Sequence, residues 1–272
     1  MKKFKLLFIG DIVGKAGRQA VKKFLLDDNN QKNYDFIIAN GENASHGFGL
    51  TRKNHDELIS YGINCITSGN HIWDKRDILS YIGESNALIR PLNYHKDTPG
   101  VGYRIFNDKI IVLNFLGKTF MPPIDCPFVG LENVINKIKD EVALEDKIIF
   151  IDFHAEATAE KQCFAKFASS LGVSAVVGTH THVQTADEKI IDSKLAYLTD
   201  AGYCGSIHGV IGMEYDASLK RLMTSISERF EVETTPPFVF NACEIEFSGN
   251  CATSINRISF VYNDNEVGAS ED

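Results

Sequence analysis

Short apolar runs alternate with amphipathic stretches along most of the 272 residues. Apolar runs bounded by Gly, Asn or Asp are typical of buried strands, whereas apolar positions spaced three and four apart indicate helices. The predicted strands are Lys5–Ile9, Phe36–Ala39, Cys65–Ser68, Ile110–Phe115, Ile148–Phe153, Ala175–Gly178 and Leu195–Thr199. The predicted helices are Arg18–Leu26, Arg52–Tyr61, Lys75–Ile82, Leu131–Val142, Ala159–Leu171 and Ala217–Glu228. This alternation predicts an α/β fold built from repeated strand-helix units.

The C-terminal part of the chain has a different pattern. The segments FVFNACEIEF and ATSINRISFVY flank Ser248-Gly249-Asn250, a turn-forming triplet, and together they predict a β-hairpin. The sequence contains no internal repeat, no low-complexity tract and no long linker. One domain over residues 1–272 is therefore expected, with the acidic segment 263–272 as a flexible tail.

Composition and charge narrow the class of protein. Hydrophobic residues make up 44% of the chain, which is enough for a core without disulfides. The net charge of -8 argues against a main function in binding long nucleic acid, but a small anionic substrate held by metal ions remains compatible. The six cysteines are scattered without a CxxC motif, which indicates reduced thiols. The apolar run Leu6–Ile9 is too short for a signal peptide, and no stretch is long enough to cross a bilayer, so we expect a cytoplasmic protein with no membrane partner.

Polar residues that can bind metal follow several of the predicted strands. They are Asp11, Glu42, Asn43, Asn70, His71, His154, His180 and His182. Sheets of α/β proteins build their active sites at such strand ends. Oxygen and imidazole donors without thiolates suit manganese, iron(II) or zinc, and even without His71 they exceed the needs of one tetrahedral ion. Because a carboxylate can bridge two ions, the number of donors favours a dinuclear site.

Each of these residues also has a purely structural interpretation. Asp11 could cap a helix, Glu42 could be a solvated loop carboxylate, and His154 could be a hydrogen-bonded core histidine. The pair His180 and His182 is the most indicative pattern, because residues i and i+2 of an extended segment point to one face. An extended segment there would present two imidazoles to adjacent ions.

The order of the short motifs resembles the calcineurin-like metallophosphoesterases. The chain carries GD at Gly10-Asp11, GNH at residues 69–71 and GTHTH at residues 178–182. Val13 stands where that superfamily usually has a histidine, and GEN at residues 41–43 stands where GDxxD usually supplies the bridging Asp. These departures, together with GDIVGKAGR, DFHAEATAEK and GTHTHVQTAD, resemble the YmdB-type branch. The resemblance implies a four-layer α/β/β/α sandwich.

The resemblance also implies roles for individual residues. One ion would be held by Asp11, Glu42, Asn43 and His182, and the other by Glu42, Asn70, His154 and His180. Glu42 would bridge the two ions, and Asn43 would compensate for the histidine that is absent at Val13. His71 would be the general acid that protonates the leaving oxygen, although a role in shaping the loop competes with this one. His46 in the following Gly-rich loop is a candidate for substrate contact, with an exposed loop histidine as the alternative.

The expected reaction is hydrolysis of small nucleotide phosphodiesters, with 2',3'-cyclic nucleotides first, by a hydroxide shared between two divalent ions. Iron or manganese is expected before zinc, and homo-oligomers are expected because related proteins often form them. A phosphomonoesterase such as a nucleotidase remains an alternative, since the same ions serve both reactions. A regulatory protein that binds nucleotides or RNA and turns them over only incidentally is the alternative from a different class.

Overall fold

Strands and helices alternate in the structure, a computed structural model that describes residues 3–27, 33–226 and 228–263. The strands are β1 (Phe4–Ile9), β2 (Asp11–Ile12), β3 (Phe36–Asn40), β4 (Cys65–Thr67), β5 (Tyr103–Phe106), β6 (Ile110–Leu116), β7 (Ile148–His154), β8 (Ala175–Thr179), β9 (Lys189–Ile191), β10 (Leu195–Leu198), β11 (Tyr203–Ser206), β12 (Phe238–Ser248) and β13 (Cys251–Tyr262). The α-helices are α1 (Gly14–Leu25), α2 (Arg52–Ser60), α3 (Pro127–Glu141), α4 (Thr158–Ser170) and α5 (Tyr215–Thr224). These elements confirm the predicted mixed α/β fold.

The first sheet contains the N-terminal strands and the C-terminal hairpin. Within the described residues its order is β2-β11-β12-β1-β3-β4, with β13 beside β12. Strands β1, β3 and β4 are parallel, so their carboxyl ends lie at one edge. The predicted hairpin β12–β13 is confirmed, and β12 lies inside the sheet, antiparallel to β1.

The second sheet has the order β5-β6-β7-β8-β10-β9. Strands β6, β7, β8 and β10 are parallel, and the register pairs His154 at the end of β7 with Thr179 at the end of β8. All residues of these four strands are buried, which is expected for strands covered on both faces. Their carboxyl ends form a second polar edge.

Among the residues that the structure describes, the buried apolar side chains form three clusters. One cluster combines residues of both sheets, and the rings of Phe8 and Phe150 meet in it at 5.0 Å. A second cluster joins α1 and α2 to the first sheet, where Phe24 stacks on Phe240 at 4.0 Å. The third joins α3 and α4 to the second sheet around Phe164. Buried aromatic pairs of this kind add to the stability that apolar burial provides.

Some element boundaries differ from the prediction. The segment Lys75–Ile82 was expected to be an α-helix, but it forms a 3-10 helix over Arg76–Ser80, a form common in short connectors. Helix α1 begins at Gly14 instead of Arg18, because Gly14 has a φ of 56° and its N–H donates to the carbonyl of Asn43. Helix α5 ends at Thr224 instead of Glu228. The predicted tail 263–272 lies outside the described residues except for Asn263.

The cysteines are all free thiols. Three of them are buried, and burial raises the pKa of the Cys204 thiol to about 12, which makes it a poor nucleophile. In the described residues no helix combines the length and the apolar character needed to cross a membrane.

Candidate metal centre

The polar edges of the two sheets face each other, and the seven predicted metal ligands lie there. The oxygen donors follow strands of the first sheet and the imidazoles follow strands of the second. The oxygen donors are Asp11, Glu42, Asn43 and Asn70, and the imidazoles are His154, His180 and His182. Strand pairing explains this placement, because the carboxyl ends of parallel strands meet at one edge.

His154 is the centre of the densest group. Its Nε2 lies 3.0 Å from Glu42 Oε1, 3.0 Å from Asn70 Oδ1 and 3.1 Å from His180 Nδ1. A single proton on Nε2 can be shared with only one of these acceptors, whereas a cation can interact with all of them. Within the described residues Glu42, His154 and His180 form a cluster whose donor atoms lie within 4.8 Å of one another.

The orientation of the His154 ring follows from its other nitrogen. The Thr179 hydroxyl donates to Asp152 Oδ1 at 2.7 Å and therefore accepts from His154 Nδ1, which lies 2.9 Å away. With the proton on Nδ1, the lone pair of Nε2 points to the cluster. Asp152 is fully buried and also accepts from Asn40 and Thr67, which fixes the Thr179 hydroxyl.

The other two imidazoles are oriented in the same way. His182 Nδ1 donates to the carbonyl of Ile211 at 2.7 Å, which leaves Nε2 for the site. His180 Nε2 lies 3.2 Å from Glu156 Oε2, which leaves Nδ1 for the site. Imidazoles that bind metals characteristically donate their other N–H to an oxygen acceptor. This shared arrangement fits three metal ligands.

Two buried oxygens at the site have no hydrogen-bond partner in the described part of the chain: Asp11 Oδ1 and Asn43 Oδ1. Asp11 Oδ2 accepts from the His180 N–H at 3.0 Å, but Oδ1 lies 3.8 Å from His154 Nδ1 and 3.9 Å from His182 Nε2. Leaving such oxygens unpaired inside a protein costs free energy. A divalent cation would pair with both, so the residues present fit a metal ion.

The charges of the site are strongly perturbed. Burial alone would raise the pKa of Glu42, but the charge and hydrogen bond of His154 and the contacts from His71 lower it to about 2. Burial opposes the charged form of His154, yet the carboxylate of Glu42 raises the pKa of His154 to about 9, and a cation that binds Nε2 would take the place of its proton. Burial and the neighbouring His154 lower the pKa of His180 to about 3. Perturbed groups of this kind concentrate at functional sites.

The lack of a side chain at Gly69 leaves room for the cluster of Glu42, His154 and His180. A Cβ at this position would lie 2.3 Å from Glu42 Oε2 and 2.4 Å from His154 Nε2. Both distances are far below van der Waals contact, so any side chain would enter the cluster. The GNH motif therefore needs glycine for the open space beside its Asn.

The prediction that His180 and His182 lie in an extended segment is wrong. Strand β8 ends at Thr179, and His180 and His182 have φ angles of 101° and 61°, so the segment is not extended. The two rings point to different partners: His180 to His154, and His182 to Asn43 at 3.3 Å. The turn is held by Asp200, which accepts from the Thr181 N–H at 3.1 Å and its hydroxyl at 2.9 Å.

A cavity of about 480 Å³ opens onto the site. It is lined by Glu42, Asn43, Gly47, Phe48, His71, His180, His182, Val210, Ile211, Met213, Ser218, Arg221, Leu222 and Phe230. His71 donates its backbone N–H to Glu42 Oε2 at 2.9 Å, and its Nδ1 lies 2.8 Å from Asp74 Oδ2. The side chain of His46 is exposed and is not among the residues that line the cavity, so its contact with a substrate stays a prediction.

Sequence reasoning missed the groups that orient the imidazoles and most of the cavity wall. Thr179 lies inside the GTHTH motif, where a polar residue at a strand end could have indicated its role. The carbonyl of Ile211 has no signal in the sequence, since every residue carries one. Arg221 and Phe230 belong to a part of the chain whose sequence indicates only an ordinary surface helix and loop.

Comparisons with known proteins identify the family of the chain. The sequence model of the family described as "YmdB-like protein" matches residues 7–258. A Bacillus subtilis (strain 168) protein named 2',3'-cyclic-nucleotide 2'-phosphodiesterase is 45% identical over 231 residues, covering 84% of this chain and 86% of that protein. A Mycoplasma pneumoniae crystal structure described as a novel phosphatase has a TM-score of 0.87 at 32% identity and covers 97% of this chain and 96% of its own. A hypothetical protein from Thermus thermophilus also has a TM-score of 0.87, at 34% identity, with 95% of this chain and 100% of that chain covered.

Proposed function

The chain belongs to the YmdB-like family, and we propose that it is a metal-dependent phosphodiesterase of small nucleotides, with 2',3'-cyclic nucleotides as its substrates. One observation carries the proposal: three imidazoles each direct one ring nitrogen to an oxygen acceptor, and their other nitrogens lie beside Glu42 and the unpaired oxygens of Asp11 and Asn43. This donor set fits divalent cations, and the site opens onto a cavity of a size that accepts a small ligand.

We assign the donors to two ions. Asp11, Glu42, Asn43 and His182 would hold one, and Glu42, Asn70, His154 and His180 would hold the other. The two groups of contacts around Asn43 and His154 support this division, with Glu42 in contact with both. Donors without thiolate favour iron or manganese, with zinc as the next candidate. When bound, such ions act as Lewis acids that neutralise charge on the phosphoryl oxygens.

His71 is the residue that we assign to protonation of the leaving oxygen. Its ring lines the cavity, its backbone N–H is anchored on Glu42, and Asp74 holds its Nδ1. The remaining ring nitrogen, Nε2, is thereby available to a substrate in the cavity. An imidazole in this position can deliver a proton to an alkoxide as the P–O bond breaks.

The architecture that we infer is a single domain with four layers in the order α/β/β/α. The three apolar clusters support it: one lies between the sheets, and the other two join helices to the sheets. In this arrangement the site lies where the carboxyl ends of the two sheets meet.

The test combines metal analysis with turnover. Purified protein, reconstituted with manganese or iron, is expected to contain about two ions per chain and to hydrolyse at least one member of a panel of 2',3'-cyclic nucleotides and bis(p-nitrophenyl) phosphate. Glu42→Gln is expected to reduce both metal content and hydrolysis. Only trace metal after reconstitution, or no turnover of any phosphodiester by the loaded protein, would contradict the proposal.

A phosphomonoesterase is the second candidate, because a Mycoplasma pneumoniae relative, 36% identical over 242 residues, is named a putative phosphatase/phosphodiesterase. Parallel assays with p-nitrophenyl phosphate and its bis-ester separate the two activities. A monoester rate well above the diester rate would favour this candidate.

A further inference from the structure

We infer that the wall of the cavity formed by Phe48, Arg221 and Phe230 binds the nucleobase of the substrate, and that Arg221 selects guanine. This inference rests on the proposed function, because it concerns the substrate of the same site. Four of the ion-binding donors, His71 and these three residues all line the same cavity, with Phe48 beside His71. One small nucleotide could therefore place its phosphate at the ion-binding donors and its base against Phe48, Arg221 and Phe230.

The wall is apolar and aromatic. Phe48 contacts the ring of His71 edge to face, with 4.9 Å between centroids, and so lies beside the residue assigned to proton transfer. Val210, Ile211 and Met213 continue the apolar surface. A flat, weakly polar base fits such a surface, and stacking on an aromatic side chain stabilises bound bases of every kind.

Arg221 adds directional hydrogen-bond donors to this apolar surface. It is the only lysine or arginine among the described residues that line the cavity. Its guanidinium lies 4.8 Å from the centroid of the Phe230 ring, so one face is covered and the N–H edges remain available. Ser218, three residues before Arg221 and four before Leu222, lies on the same helix, and all three line the cavity. In the described part of the chain no carboxylate forms an ion pair with Arg221.

The geometry of a guanidinium determines which base it prefers. Two adjacent N–H groups can donate together to O6 and N7 of guanine. Adenine presents an amino group beside N7, so one of the two hydrogen bonds is replaced by a contact between donors. Uracil has no pair of adjacent acceptors. Cytosine has one, N3 and O2, but its single ring stacks on an aromatic wall over a smaller area than a purine does. Guanine is therefore the base that the wall should select.

The experiment measures base preference in turnover and in binding. With manganese-loaded protein, kcat/KM is determined for the 2',3'-cyclic phosphates of guanosine, adenosine, cytidine and uridine, and the affinity for 3'-GMP and 3'-CMP is measured by calorimetry. We expect the wild type to prefer guanine over cytosine by about 10-fold or more in both assays. Arg221→Gln should bring both ratios close to one.

Lys220→Gln is the matched control, because Lys220 lies on the same helix, pairs with Glu228 and does not line the cavity. It removes the same charge and should keep the guanine preference. Equal use of all bases by the wild type, or an unchanged ratio in Arg221→Gln, would overturn the inference. If binding shows the guanine preference but no phosphodiester is hydrolysed, the base site stands and the proposed function fails. If phosphodiesters are hydrolysed without any base preference, the proposed function stands and the base site fails.

Discussion

Replacing Lys161 by Met should destabilise the protein and loosen the turn that carries His180 and His182. Lys161 is 1% exposed and Asp200 is fully buried, and their charged atoms lie 2.8 Å apart. The Lys161 ammonium also donates to the carbonyl of Thr179 at 2.9 Å. Methionine preserves the length of the side chain but leaves the Asp200 carboxylate without its cation.

The expected loss of unfolding free energy depends on the hydrogen bonds that Asp200 keeps in Lys161→Met. Breaking a buried ion pair by removing one partner costs about 3–5 kcal/mol. Asp200 retains hydrogen bonds from the Thr181 N–H, the Thr181 hydroxyl and the Gly202 N–H. These hydrogen bonds favour the lower end of that range, about 3 kcal/mol. The lost hydrogen bond to Thr179 adds about 1 kcal/mol. The expected total is about 4 kcal/mol.

Urea unfolding of the metal-loaded protein, followed by circular dichroism, measures this change. Lys166→Met on the exposed face of the same helix is the matched control and should change the free energy of unfolding by less than about 0.5 kcal/mol. Lys161→Met/Asp200→Asn should recover part of the loss, because the unpaired charge is removed with its partner. A loss below about 1 kcal/mol in Lys161→Met, or no recovery in the double variant, would refute the reasoning.

Three further predictions concern the site and its support. Gly69→Ala should weaken metal binding by at least about 10-fold, by the intrusion of its Cβ, whereas Gly83→Ala, whose Cβ meets nothing within 4 Å, should not; titration with Mn²⁺ compares them. His71→Asn should lower kcat by about 100-fold or more for a ribose leaving group and far less for p-nitrophenolate, which needs no proton; equal losses would argue against a general acid. Burial opposes the ionisation of Asp187, but hydrogen bonds from Thr199 and Thr185 outweigh it and lower the pKa of Asp187 below 3.8. Solvent screening reduces its stabilisation to less than about 1 kcal/mol relative to Asp187→Asn. This stabilisation should be complete at pH 7 and vanish as the pH falls through that lowered pKa, which urea unfolding at several pH values checks.

The sequence predicts the strand ends well because two physical rules act together there. Fully buried parallel strands give long apolar runs, and active-site residues must follow them at the carboxyl edge. Asp11, Glu42 and His154 could therefore be expected to lie close together before any geometry was known. The α/β class follows from the same runs.

The rest depends on backbone geometry that leaves little trace in the sequence. The left-handed φ angles of His180 and His182 turn the two rings to different partners, and an extended segment was the natural expectation for i and i+2 residues. The carbonyl of Ile211 orients His182 without any sequence signal. Strands as short as Asp11–Ile12 carry too few residues to show a period.

The division of donor types between the two sheets means that the mixed set of donors is complete only when the sheets are packed together. The first sheet alone offers carboxylate and amide oxygens and the second alone offers imidazoles, so neither half presents the mixed set. Asp11 and His182 are also far apart in the chain, and an unfolded polypeptide cannot hold them together without a large loss of entropy. A bound ion would therefore join the two sheets: at a free concentration about 100 times Kd it would add about 2.7 kcal/mol to stability. Chelation should loosen the packing of one sheet on the other as well as stop turnover.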